Sequence, residues 1–169
     1  MSTIVSTNVN TTNIQSDTIK HSGGTTAMTI DSTGRVLTPA RPAFLAKKLG
    51  GSNVSSGSTV DFETIVINIG NGYSNSTYKF TAPVAGLYQL QTQCLSTNNS
   101  SANDIDMYID SSLYQRVRQD VSAAAHNTLN ISTIANLSVG NTVYIYVSGG
   151  DGISAAASHY TSFSGYLIG

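Results

Sequence analysis

Cysteine is almost absent from this chain, with Cys94 the only one in 169 residues. A single thiol can neither close an internal disulfide nor build a cysteine-based zinc site, so neither framework holds the fold together. A small buried hydrophobe on a strand is the simplest part for it. Charge is scarce as well. Charged residues make up 10 %, the formal net charge is -1, and Lys47-Lys48 is the only adjacent basic pair. A surface that tracks phosphates needs a basic stripe, so nucleic acid is not an expected partner. No apolar run approaches the ~20 residues of a membrane-spanning helix, and membrane insertion is not expected. Met1 to Asn8 carries neither the charged nor the apolar region of a secretory signal. Collagen-type Gly-X-Y repeats are missing, as is any helical apolar period sustained over three turns.

What remains is an Asn-, Ser- and Thr-rich chain whose apolar residues alternate. From Leu87 to Leu95, Tyr88, Leu90, Thr92 and Cys94 fall on one strand face, and Gln89, Gln91 and Gln93 on the other. Ile105, Met107 and Ile109 oppose Asp104, Asp106, Tyr108 and Asp110. Val143, Ile145 and Val147 oppose Tyr144 and Tyr146, while Leu129 and Ile131 continue the pattern. Many short alternating strands parted by Gly, Ser and Asn turns predict an all-β antiparallel sandwich. Tyr160 to Ile168 reads as a closing strand in which Gly165 lets a neighbouring backbone approach.

The aromatic-Ser-Gly-aromatic-Leu-Ile pattern of Phe163 to Ile168 resembles the closing strand of the complement C1q globular head, a jelly roll shared with the tumour necrosis factor superfamily. Val60 to Tyr73, followed by Tyr78 to Tyr88, is similar to that family's most characteristic run. Leu137 to Val147 is similar to its penultimate strand. The resemblance spans residues 42 to 169 and implies a C1q/TNF-like jelly roll that assembles as a tight homotrimer. On that footing, Phe62, Tyr88, Tyr144, Tyr146, Phe163 and Tyr166 are candidates for the trimer core and interface.

Residues 1 to 41 form a separate polar segment without enough apolar content for a core of its own. Thr18 to His21 and Ala27 to Asp31 read as short strands joined at Ser22-Gly23-Gly24, and a turn at Ser32-Thr33-Gly34 leads to Arg35 to Pro39. Pro39 and Pro42 mark the boundary. The run from Thr18 to Leu37 is similar to segments of bacteriophage fibre and virion structural proteins. That resemblance implies a short β-arm that anchors the head to a particle, with Ile14, Ile19, Met28, Ile30 and Val36 as its apolar contacts.

Catalytic chemistry finds little footing here. His21, His126 and His159 stand in different segments without metal spacing, and Gly70-Asn71-Gly72 is a turn with no helix after it to cradle phosphate. No nucleophile elbow occurs, so an enzyme is not expected. Asp104, Asp106 and Asp110 form the densest carboxylate group. Together with Asp151 they are weak calcium candidates, the simpler reading being a solvated polar face. No other cofactor is expected. The two resemblances together imply a virion-located bacteriophage structural protein. It would be a trimeric capsid decoration or short spike whose arm meets other virion proteins, with a receptor-binding fibre tip for a host glycan or surface protein as the alternative.

Overall fold

The alternation is realised as strands, with no helix among the described residues. The computed structural model describes residues 17–97, 102–120, 126–155 and 159–169. Contacts divide the chain between Ala40 and Arg41 into two units.

The first unit holds β1 (Thr18–Lys20), β2 (Thr26–Ile30) and β3 (Val36–Leu37), joined antiparallel in the order β1-β2-β3. Gly24 and Gly34 take the left-handed backbone its two turns require. At the second turn, Asp31 Oδ1 accepts from the backbone N–H of Thr33 and Arg35 and from the Thr33 hydroxyl, while Arg35 Nε lies 2.7 Å from Oδ2. The Thr33 hydroxyl and the Arg35 contacts hold the Asp31 carboxyl down at about 2. Register places Ile19 opposite Met28 and Ile30 opposite Val36. Directly opposed residues share a face, so these four side chains form one apolar face. No residue from Asp17 to Arg41 is buried. The expected hairpins are present, and Ile14 lies outside the described residues.

The second unit is a two-sheet sandwich. Its strands are β4 (Ala43–Lys47), β5 (Ser58–Thr59), β6 (Thr64–Ile69), β7 (Tyr73–Ser74), β8 (Lys79–Thr81), β9 (Gly86–Leu95), β10 (Asn103–Ile109), β11 (Ser112–Gln119), β12 (Thr128–Leu137), β13 (Thr142–Gly149) and β14 (Ser162–Leu167). One five-stranded sheet runs β12-β9-β14-β4-β6. The other runs β11-β10-β13-β8-β7, with β5 also pairing to β13 to make six strands. The crossing connections between two antiparallel sheets make this a jelly roll.

Between the sheets, Phe44 stacks on Phe80 (centroids 4.5 Å apart) and on Tyr73 (5.4 Å), and meets Phe163 edge-on at 4.8 Å. Such pairs contribute roughly 0.5–1.5 kcal/mol each beyond the area they bury. Tyr88, Leu90, Thr92 and Cys94 are fully buried, as the alternation predicts. Burial pushes the Cys94 thiol up to about 12. The closing strand β14 sits in the middle of its sheet, between β9 and β4. A Cβ at Gly165 would stand 2.7 Å from Phe44 Cε1 and 3.0 Å from the Gln89 carbonyl oxygen, so the close approach read from the sequence is real.

Candidate functional site

The outward face of the five-stranded sheet can be built row by row from its registers. One row runs Ile134, Gln89, Tyr166, Ala43, Ile69, and the next Ser132, Gln91, Ser164, Leu45, Ile67. A third carries Asn130, Gln93, Ser162 and Lys47. Lys47 is the only charged side chain in these three rows. The apolar content concentrates at the β6 edge, where Ile65, Val66, Ile67 and Ile69 are all exposed, while Ile134 and Tyr166 are each 52 % exposed. An edge strand this apolar is a template for association, and native proteins cover or charge such edges. A patch low in charge and carrying an aromatic has the composition of an interface core. Tyr166 therefore stands where a second chain could reach it. Sequence reading missed Ile65, Ile67, Ile69, Leu45 and Ile134. Its available signal was the near-continuous Ile65 to Ile69 run, which alone cannot distinguish a buried strand from an uncovered edge.

Three of the six aromatic candidates for core and interface lie in the core. Phe62, Tyr88 and Phe163 are fully buried inside one chain and hold its two sheets together, so no second chain touches them. Tyr144 and Tyr146 lie on the opposite, outward face of the six-stranded sheet. There Tyr108 stacks on Tyr144 (5.3 Å, 7°) and meets Tyr146 edge-on at 5.9 Å, while Lys79 Nζ caps the Tyr144 ring at 4.3 Å. Burial pushes the Tyr144 hydroxyl up, with Tyr108 and Tyr146 adding to it.

The acidic strand also departs from the solvated face expected of it. Asp106 is fully buried and takes both Arg116 Nε and Nη2 at 2.6 Å, a bidentate pair across the β10–β11 hairpin. The Asp106 hydrogen bond raises the Arg116 pKa further. Asp104 is buried beside Arg118, whose Nη1 lies 3.6 Å from Oδ2. Asp110 is not on that face, because it turns the hairpin with φ 53. Its carboxylate accepts from Thr142 N at 2.8 Å and from Asn141 Nδ2 at 2.9 Å. The Asn141 side chain also accepts from Ser138 N at 2.7 Å. The amide at Asn141 donates to Asp110, as a carboxylate could not. Asp151 is exposed in a separate turn. The four calcium candidates thus do not converge, and among the described residues no three His, Cys, Asp or Glu gather into a metal-sized group.

The C1q domain family matches residues 43–168. The chain belongs to the C1q domain family. Among solved structures, the globular domain of zebrafish complement 1qA is 18 % identical with a TM-score of 0.64, covering 76 % of this chain and 98 % of that one. The Eiger TNF of S. frugiperda is 11 % identical with a TM-score of 0.65, covering 77 % and 94 %. Murine APRIL is 14 % identical with a TM-score of 0.64, covering 76 % and 99 %. These likenesses bear on the fold, and they bear out the C1q/TNF-like jelly roll read from the three sequence blocks. C1q and TNF domains commonly form homotrimers and typically serve as structural or ligand-binding modules rather than enzymes.

Proposed function

We propose that this chain is a bacteriophage virion structural protein: a homotrimeric C1q head, worn as a capsid decoration or short spike and attached through residues 1 to 41. The observation that carries this is the small sheet of β1, β2 and β3. Its register lines up Ile19, Met28, Ile30 and Val36 on one face, yet no residue of the sheet is buried. A single layer of three short strands is marginal in water, so an apolar face of this kind serves a partner surface. The resemblance of Thr18 to Leu37 to virion segments, read from the sequence, supports other particle proteins as the partner class. The five-stranded sheet's outward face supplies the contact between copies, and a closed threefold suits a particle symmetry site.

The test is particle incorporation. Intact particles carrying the full chain should bind an antibody raised against the head in electron micrographs, at the capsid. Ile19→Asp combined with Ile30→Asp should abolish incorporation while the secreted or soluble variant keeps its melting temperature and mass. Full incorporation of that double variant, or particles that never contain the protein, would refute the attachment role.

A further inference from the structure

Away from the candidate interface, the head carries an open groove of about 310 Å³, and none of its lining residues belongs to the five-stranded sheet. Ser52, Ser55, Ser58 and Thr59 line it with hydroxyls, and Asp61 and Tyr78 complete the wall. Asn53 also lines it, with its side-chain oxygen accepting from Ala155 N at 2.8 Å, which leaves its amide hydrogens to face other partners.

Behind this wall stands Lys48, whose side chain is fully buried. It follows Phe44 and Ala46 on the inward face at the end of β4, so its stem enters the sandwich. Its ammonium donates to the Gly50 carbonyl at 3.0 Å and lies 2.8 Å from Asp61 Oδ1. Oδ1 is buried without an aligned hydrogen bond, so the contact is a charge pairing. Asp61 itself is 34 % exposed. A buried ammonium contributes little to stability compared with an apolar residue of similar volume. What it does here is fix a groove carboxylate from behind, leaving Oδ2 as the oxygen that can meet a ligand. A binding group held by a buried supporting residue is the mark of a pre-organised site. Tyr78 adds a second mark, because it holds φ 59 at the groove, a left-handed backbone disfavoured for a bulky residue.

We propose that this groove binds a neutral saccharide. A fixed carboxylate accepts from adjacent sugar hydroxyls, Ser and Thr hydroxyls both donate and accept, and an aromatic ring packs on the C–H face of a pyranose. Asp61 disfavours an acidic sugar by like-charge repulsion. The nearby tyrosine ladder is a poorer platform, since Tyr108, Tyr144 and Lys79 already occupy one another's faces. The site is independent of particle attachment: it holds whether the head is worn on a capsid or elsewhere.

Saturation-transfer NMR on the full chain, with glucose, galactose, mannose and N-acetylglucosamine each at millimolar concentration, tests it. At least one sugar receives saturation, Tyr78→Phe keeps the signal, and Tyr78→Asn, which suits the left-handed backbone, loses it. Asp61→Asn weakens binding at least about tenfold, the scale of one lost charged hydrogen bond. Because Asp61→Asn also unpairs Lys48, its melting temperature is checked alongside, and Tyr78→Asn decides the matter if that variant unfolds. Absence of transfer to all four sugars from the wild-type chain, or transfer unchanged by Tyr78→Asn, overturns the proposal.

Discussion

The two outward faces of the sandwich are built from the same alternation and end in opposite states. On the six-stranded sheet the main charged and aromatic groups pair with one another. Asp106 is matched by Arg116, Asp104 by Arg118, and Tyr144 lies between Tyr108 and Lys79. Its β11 edge carries the two arginines, a charged edge that discourages strand pairing. On the five-stranded sheet the β6 edge carries four exposed aliphatic residues and no charge. The first face still exposes Leu113 and Tyr114 on β11 but pairs its buried charges within one chain, while the second exposes a run of aliphatic residues along β6 with no charge among them. The distribution of exposed aliphatic residues and paired charges is therefore what sets the proposed seam apart from the opposite face.

The largest effect is expected from charging the seam. Ile67→Asp puts a carboxylate on an exposed position, so folding survives, but association requires every copy to desolvate it. Light scattering should report three chains for the wild type and a single-chain mass for the variant at the same concentration. Phe163→Ala removes the ring shared by both sheets, and denaturant titration should show a loss of about 3–5 kcal/mol that weakens both faces together. Arg116→Met leaves the buried Asp106 carboxylate without its partner. The melting temperature should fall, by less than for Phe163→Ala, with the oligomeric mass unchanged. Tyr108→Ala should be milder still, about 1 kcal/mol beyond lost area, and should leave association intact.

A pH series separates the core from both faces. The folded Cys94 thiol is held up at about 12, against an ordinary value of 9. Its contribution is complete below pH 9 and declines as pH rises from 9 towards 12, because the unfolded thiol ionises first. Stability measured by denaturant should fall over that window in the wild-type chain and fall less steeply in Cys94→Ala.

Inner faces were legible because alternation fixes them: Tyr88, Leu90, Thr92 and Cys94 lie where period two puts them. The turn glycines and the central closing strand were legible for the same local reason, Gly165 being spaced against Phe44 and Leu90. Outer faces were not. Asp106 looks solvated until the hairpin register brings Arg116 over it, and that register includes a bulge between Met107 and Tyr108. Tyr144 and Tyr146 carry no local mark of the ring contacts they make with Tyr108, which come from the β10–β13 register. The proposed seam depends on which strand ends at a sheet edge, and Ile65 to Ile69 carries no local mark of that. Lys48 shows the same limit, since beside Lys47 it reads as a basic surface pair, while successive strand residues in fact point to opposite sides.

Hydroxyl-radical footprinting of the full chain, read by mass spectrometry at increasing protein concentration, tests the assignment of the seam most directly. Ile65, Ile67, Ile69 and Tyr166 should become protected as the mass rises to three chains, while Leu113 and Tyr108 stay as reactive as in the dilute protein. Undiminished labelling of Ile67 and Tyr166 in the assembled form, or protection of the six-stranded face instead, would contradict it.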